Sequence, residues 1–353
     1  MVIGNPGTRK SGGSHVKPTT AAILAGGLGS RLQSAVADRQ KVVAEVAGRP
    51  FLFHLLDNLE SQGIRRVILC TGHLAETVRD AVAEHPGDIE IRWSEETEPL
   101  GTGGALGLAR LLLGDDERIF ALNGDSLCDV DLGALYAWHC KMAATGTLTL
   151  TWKEDASRYG GVDLEDGRVA AFVEKGRSGA GWVNAGIYCL EPEVLASLPS
   201  DRRVSLEHDV FPHQERLFGH CGGGRHLDIG LPETYAAASS WLARQPDPDR
   251  DRVVFLESDV LEHPGSARAL RRFKELGLKI AVNGAPTDGL DLGSGFLIGD
   301  TSSAIRRGRA LGATTLMVRT GSGEVERHEA GELADYIVED LWCAALTVER
   351  LIS

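Results

Sequence analysis

Between Thr20 and about Leu242, short apolar runs alternate with stretches whose apolar positions recur at helical spacing. Ala21–Leu24, Val67–Cys70, Ile119–Leu122, Thr147–Trp152 and Gly186–Leu190 read as strands; Phe51–Ser61, Ala75–Glu84, Gly104–Leu113 and Leu132–Ala144 read as helices. This alternation predicts an α/β fold, with a mixed, mostly parallel sheet and helices on both faces. The stretch RQPDPDRD (Arg244–Asp251) breaks the pattern with two prolines and several charges, as linkers do. The expected organisation is therefore a first domain over 18–244, a linker over 245–252 and a second domain over 253–353. In the second part Val253–Leu256, Lys279–Val282, Phe296–Ile298 and Thr315–Val318 look like strands and Ala267–Leu276 like a helix. Residues 1–17, rich in Gly, Ser, Pro and Lys without an apolar segment, predict a disordered tail and no signal peptide. No repeat of fixed period occurs.

Composition narrows the partners. The chain has 353 residues and a formal charge of −13, which argues against nucleic acid or an acidic membrane surface. Small anions remain open to it, because a local cluster of cations can invert the field in one cleft. Cys70, Cys128, Cys140, Cys189, Cys221 and Cys343 are scattered, with no C-x-x-C pair, and read as reduced cytoplasmic thiols. No run is long enough to cross a bilayer. His54, His139, His208, His213 and His226 have no ligand spacing among them and read as surface or core residues.

The first candidate chemistry is Ala25-Gly26-Gly27-Leu28-Gly29-Ser30-Arg31, directly after the first strand. A Walker loop needs Gly-Lys, which the chain lacks. A dinucleotide fingerprint starting at Gly27 and Gly29 fails at Leu32. What remains is a glycine turn whose backbone N–H groups can approach phosphate oxygens, with Arg31 able to add a bidentate contact. Asp125 and Asp228 each follow a strand-like run, which would place them at the carboxyl ends of strands, where open α/β sheets bind ligands. Taken alone, Asp125 is equally a turn or cap residue and Asp228 a buried turn acid.

LAGGLGSRL, EPLGTGGAL (Glu98–Leu106), LNGDS (Leu122–Ser126), DASRYGGV (Asp155–Val162), EKG (Glu174–Gly176), NAGIY (Asn184–Tyr188), SLEHDVFP (Ser205–Pro212) and LDIGLPETY (Leu227–Tyr235) occur in that order. Together they resemble the sugar-phosphate nucleotidyltransferase family, within it the heptose 1-phosphate guanylyltransferase group. The resemblance implies a Rossmann-like nucleotidyltransferase fold and transfer of a nucleoside monophosphate from an NTP, GTP foremost, to a sugar 1-phosphate, heptose 1-phosphate foremost. It implies Mg²⁺ on Asp125 and Asp228, and Arg31, Lys41, Asp125 and Lys175 as catalytic residues. Ala25, Gly26, Gly27, Gly29, Arg31, Leu100, Gly101 and Gly103 would bind the nucleotide, and Tyr159, Gly160, Glu174, Lys175 and Asn184 the sugar phosphate. The family flanks the lysine with prolines; here Gln40 and Val42 stand there, which predicts a less rigid loop. Rival readings are ATP, CTP or UTP with another sugar 1-phosphate, and a non-catalytic nucleotide-sugar sensor. A cytoplasmic enzyme without nucleic-acid or membrane partners is expected, with a homodimer as one option.

RVVFLESDVLEHPG and FLIGDTSSAIRRGRALGATTLMVRTG resemble parts of the haloacid-dehalogenase phosphatase fold, of the heptose-bisphosphate and histidinol-phosphate type. Glu257 stands where that family has its nucleophilic aspartate, with Asp259 retained; Val282 replaces the expected threonine before Asn283, and Ala304 replaces an acid that follows Asp300. No lysine lies between Lys279 and Asp300. The expectation is a truncated, inactive domain, a bifunctional enzyme being the alternative, and a first domain that carries the transfer chemistry by itself.

Overall fold

The computed structural model describes residues 17–27, 38–114, 117–153, 156–165, 167–173, 176, 179, 181–220, 226–243, 253–257, 259–263, 265–282, 295–310, 313–323 and 334–352. In chain order the first thirteen strands are β1 (Thr20–Leu24), β2 (Glu45–Val46), β3 (Arg49–Pro50), β4 (Arg66–Thr71), β5 (Glu90–Glu95), β6 (Ile119–Asn123), β7 (Ser126–Cys128), β8 (Gly146–Lys153), β9 (Gly161–Glu165), β10 (Arg168–Val173), β11 (Gly181–Leu190), β12 (Leu217–His220) and β13 (His226–Asp228). Helices α1 (Phe51–Ser61), α2 (Ala75–Ala83), α3 (Gly101–Ala109), α4 (Leu132–Lys141), α5 (Pro192–Ser197) and α6 (Pro232–Ala243) lie between or after them.

Nine strands form one sheet in the order β5-β4-β1-β6-β11-β8-β12-β10-β9. The β5-β4-β1-β6 half is parallel. Long β11 runs antiparallel to both β6 and β8, so the other half is mixed. Ala21 and Ile23 of β1 join the core beneath α1, α2, α4 and α6, while Ala22 joins the core beneath α3 and α5. A strand covered on both faces has no polar alternation, which is why TAAIL reads as an unbroken apolar run. α3 starts at Gly101, three residues before the expected Gly104, and ends at Ala109.

The second part forms a parallel five-stranded sheet from β14 (Val253–Leu256), β15 (Lys279–Val282), β16 (Phe296–Gly299), β17 (Thr314–Val318) and β18 (Tyr336–Val338), in the order β15-β14-β16-β17-β18. α7 (Ser266–Glu275) and the C-terminal helix Leu341–Ile352 cover one face; Ala304 of α8 (Ser302–Ala310) packs on the other. The two parts share a core, because Ile305, Met317 and Ile337 are buried in the same cluster as the α3 and α5 side of the first sheet. Among the described residues no helix is long and apolar enough to cross a membrane.

Candidate active site

Two clefts open at the carboxyl ends of the parallel strands and meet at Asn123 and Asp125, which line both. The smaller, about 450 Å³, is lined by Leu24, Ala25, Gly26, Gly27, Lys41, Glu96, Pro99, Gly101, Thr102, Ala105 and Arg203 besides those two. The larger, about 710 Å³, includes Ser126, Tyr159, Gly160, Gly161, Phe172, Asn184, Glu207, His226 and Asp228 in its wall.

Asp125 owes its place to Gly124. A Cβ there would lie 2.7 Å from the Leu24 carbonyl oxygen and 2.9 Å from a Val42 methyl, so only glycine lets the chain tuck under the end of β1. The Gly124 N–H donates to that same carbonyl at 2.9 Å. The next residue then projects into the cleft, where the Asp125 carboxylate is ion-paired with the Lys41 ammonium, both side chains 22% exposed. β7 follows at once and pairs with β13 in antiparallel register, Ser126 opposite Asp228. That pairing, with the Ile229 N–H donating to the Asp125 carbonyl at 2.9 Å, sets the two carboxylates side by side. A Cβ on Gly230 would meet Asp228 Oδ1 at 2.8 Å and Asp125 Oδ2 at 3.5 Å.

Lys41 is aimed without flanking prolines. Gln40 is 3% exposed; its Nε2 donates to the Gly27 carbonyl at 2.7 Å and its Oε1 accepts from the Lys41 N–H at 2.6 Å. Its own N–H donates to Thr77 Oγ1 at 3.1 Å. Gln40 thus links Gly27, the Lys41 backbone and α2, through its side-chain amide and its own N–H.

Glu96 was not singled out by the sequence, yet it stands in the smaller cleft against the glycine turn. Its carboxylate takes the space a Cβ on Gly26 would need, 2.5 Å away, and its Oε2 accepts from the Leu100 N–H at 3.0 Å. Burial raises its pKa above the ordinary carboxylate value, and the Leu100 hydrogen bond opposes that rise. Part of the reason for bare Gly26 is therefore this side chain. Leu100 and Gly103, expected at a nucleotide base, do not line the cleft. Gly103 lies against Val204, whose Cγ1 is 2.9 Å from the position of a Cβ; Leu100 is 9% exposed and its carbonyl accepts from the Val204 N–H at 2.8 Å. Gly101 does line the cleft.

In the larger cleft Asn184 Nδ2 donates to Tyr188 Oη at 2.8 Å, and Tyr188 donates to Glu207 Oε1 at 2.9 Å. Glu207 Oε2 also accepts from Thr102 at 3.2 Å and Ser205 at 3.1 Å. Thr102 lines the smaller cleft, so this chain of hydrogen bonds ties the two walls together. Lys153 donates to the His226 carbonyl at 3.3 Å and lies 5.6 Å from the Tyr159 ring centroid. Burial lowers its pKa, and the Asp228 carboxylate counters that shift. Ala25, Gly26, Gly27, Lys41, Gly101, Asp125, Tyr159, Gly160, Asn184 and Asp228 are thus brought to one composite site. Gly29, Arg31, Glu174 and Lys175 lie outside the described residues. Pairing with Tyr188, Glu207 and Lys153 was missed because a Tyr or Lys at a strand end carries no local signal.

The donor set suits a divalent cation that takes part of its shell from substrate. Two adjacent carboxylates supply hard oxygens, and among the described residues no group of three or more His, Cys, Asp or Glu forms an all-protein cage. In the second part the Glu257 carboxylate accepts from Thr301 Oγ1 at 3.1 Å and from Arg307 at 3.2 Å. Asp300 is 1% exposed and accepts from the Ser322 N–H at 3.0 Å.

Residues 20–245 match the family model described as nucleotidyl transferase, and residues 266–344 match a HAD-hydrolase-like model. The chain is 36% identical over 225 residues to a D-glycero-α-D-manno-heptose 1-phosphate guanylyltransferase of Aneurinibacillus thermoaerophilus, covering 63% of this chain and 97% of that protein. It is 37% identical over 226 residues to the mannose-1-phosphate guanylyltransferase catalytic subunit beta of Drosophila melanogaster, covering 62% of this chain and 61% of that one. Among solved structures it is similar to HddC from Yersinia pseudotuberculosis complexed with GMP-PN, with a TM-score of 0.58, 32% identity, and coverage of 63% of this chain and 99% of the other.

Proposed function

We propose that this chain, which belongs to the nucleotidyl transferase family through residues 20–245, transfers GMP from GTP to a heptose 1-phosphate. The chain is a sugar-1-phosphate nucleotidyltransferase; the base, the sugar and the residue roles are our reading. A phosphate oxygen of the sugar 1-phosphate attacks the α-phosphorus. The new P–O bond forms as the bond to the β-phosphate's bridging oxygen breaks, and pyrophosphate leaves with that electron pair. Little covalent help is needed, so positioning and charge neutralisation carry the catalysis.

The observation that carries this reading is the meeting of two clefts at Asp125. Nucleotide in the smaller cleft and sugar phosphate in the larger would bring the α-phosphorus and its attacking oxygen together beside this carboxylate. Lys41 would reach the α-phosphate, Arg31 the departing pyrophosphate, and Lys175 and Glu174 the sugar phosphate. Asp125 and Asp228 would hold Mg²⁺, which when bound supplies charge neutralisation on the phosphates. Guanine is supported by Glu96: an ionised carboxylate only accepts, and guanine's Watson–Crick edge offers two N–H donors. Heptose is supported by the relative from A. thermoaerophilus, spanned over 97% of its length. Cys70, Cys140, Cys189 and Cys343 are free thiols, which supports a reducing compartment such as the cytoplasm.

We read the second domain, 253–353, as without phosphatase activity. Its Glu257 has the wrong reach for a nucleophile and is tied to Thr301 and Arg307. Hydrolysis of heptose 1,7-bisphosphate, lost in Asp259→Asn, would instead make the chain bifunctional. The site itself is tested by Asp125→Asn and Asp228→Asn. Each should lower pyrophosphate release at least ~10²-fold with an unchanged circular dichroism spectrum. Turnover near that of the wild type in either variant removes the assignment.

A further inference from the structure

The strand ribbon that carries both active-site carboxylates is short, and its far end is held by the second domain. β7 has three residues, Ser126–Cys128, and among the described strands pairs with β13 alone, Cys128 opposite His226 and Ser126 opposite Asp228. A two-stranded ribbon of this length is marginal without further support. Past Cys128 the chain turns at Asp129, where the Val130 N–H donates to the Cys128 carbonyl at 2.9 Å. Asp129 is 8% exposed, and its Oδ2 accepts a buried hydrogen bond of 2.7 Å from Tyr336 Oη. Tyr336 is 2% exposed and opens β18, where it pairs with Leu316 of β17. The grip on Asp129 therefore comes from a strand of the second sheet, not from a mobile side chain on a loop.

Neighbouring contacts show that this is a docked face. The Arg319 guanidinium, at the end of β17, sits 5.6 Å from the Trp138 ring centroid on α4 and pairs with Glu339 at 2.6 Å. α4 begins at Leu132, four residues after β7 ends at Cys128, and is capped by Asp131. Ile305, Met317 and Ile337 extend the contact between the two parts to the core that lies under α3 and α5. A protein that 225 residues of this chain span over 97% of its length has no room for a second domain of this kind, so the brace is a property of this chain.

We propose that the second domain is a structural brace for the nucleotidyl transfer site, with Tyr336 as a positioning residue that fixes the β7–β13 ribbon through Asp129. This rests on the reading of Asp125 and Asp228 given above. The distance from Asp129 back to Asp125 is four residues of extended chain, roughly 13 Å. A shift at one end of so short a strand is passed to the other, because the register between Ser126 and Asp228 leaves little slack. A buried carboxylate that loses a hydrogen bond shifts toward water or another donor, and it takes the ribbon with it. The degenerate phosphatase motifs are immaterial to this role, which needs the sheet and its edge rather than a nucleophile.

The test uses the full chain in four forms: wild type, Tyr336→Phe, Asp129→Leu and Arg319→Met. Steady-state pyrophosphate release, thermal midpoint and hydrogen–deuterium exchange of peptides covering 125–130 and 226–230 are measured on each. The expected result is that Tyr336→Phe lowers kcat about tenfold while both KM values stay within about twofold. Its ribbon peptides should exchange about tenfold faster. Asp129→Leu reads the same contact from the other side, should Tyr336→Phe fail to fold. Arg319→Met, which removes the Trp138 and Glu339 contacts and leaves the Tyr336–Asp129 hydrogen bond in place, should lower the thermal midpoint and leave kcat and ribbon exchange as in the wild type. Equal falls in thermal midpoint for all three variants, with kcat and ribbon exchange unchanged, would overturn the proposal and leave the second domain as a stabilising cover only. The ribbon exchange is independent of the chemistry, so it still decides the brace if Asp228→Asn retains turnover and the site reading itself fails.

Discussion

Lys41 reaches Asp125 because Gln40 is a buried clamp, and that gives the first expectation at the scale of single residues. Gln40→Ala removes the bonds to Gly27 and Lys41 and should lower kcat several-fold while leaving the sugar-phosphate KM unchanged. An unchanged kcat would show that the lysine is aimed by something else. Glu96 makes a second. Glu96→Gln replaces one acceptor with a donor and should narrow the preference for GTP over other triphosphates by roughly tenfold or more. Because burial raises its pKa, the Glu96 carboxylate takes a proton at a higher pH than an ordinary glutamate. The KM for GTP should therefore rise as pH falls, beginning above the ordinary carboxylate range, and this rise should be absent in Glu96→Gln. The candidate residues at the ends of β1 and β6 were legible in the sequence, since the glycine turn and LNGDS each follow an apolar run, whereas Asp228, behind CGGGRH, was legible through the resemblance. Gln40, Glu96 and Glu207 were not. Their significance lies in what they touch across the fold, and a lone Gln or Glu announces none of that.

Among the elements, β11 and α3 set the walls of the two clefts. β11 breaks register with β8 between Asn184 and Tyr188, and Gly186 there takes φ +72°. A Cβ on Gly186 would lie 2.5 Å from Asn123 Nδ2, on the ridge that both clefts share. Gly186→Ala should cost ~1–3 kcal/mol of stability and displace Asn123, raising KM for both substrates. A variant with wild-type KM values would show that the ridge tolerates the shift. On α3, a Cβ on Gly107 would fall 2.1 Å from the Pro199 carbonyl oxygen, so its glycines serve close helix-to-backbone packing. That is why the helix was expected to begin at Gly104: GTGG reads as a loop until the packing that requires it is seen. β1, β4 and β6 were legible because both faces are buried. β5 was not, since EIRWSE is an edge strand whose Glu90 and Glu95 pair with Arg66, Arg79 and Arg92 instead of burying apolar side chains.

The whole molecule is held together by a buried seam between its two sheets. His220, at the end of β12 and 4% exposed, lies near Arg319 of the second domain; burial first, then that positive charge, pushes its pKa down to about 3. The unfolded chain takes up a proton near pH 6.5 and the folded chain does not, so the unfolded state binds more protons between those values. Stability is therefore full above pH 6.5 and falls as pH drops toward 3. His220→Leu should flatten the fall in thermal midpoint below pH 6.5, and an unaltered slope would place the acid sensitivity elsewhere. The two-part organisation was legible from RQPDPDRD and the second run of strands. The seam was not, because Ile305, Met317 and Ile337 look like ordinary core positions of their own sheet. If the second sheet braces the site, the first domain cut free within 245–252 should still carry transfer chemistry, more slowly and with lower stability. The central claim is tested most directly by pyrophosphate release from the full chain with each of GTP, ATP, CTP and UTP against heptose, mannose and glucose 1-phosphates, in the presence of Mg²⁺. The account predicts release with GTP and heptose 1-phosphate well above every other pair, abolished in Asp125→Asn; the absence of release from any pair, or release indifferent to Asp125, would contradict it.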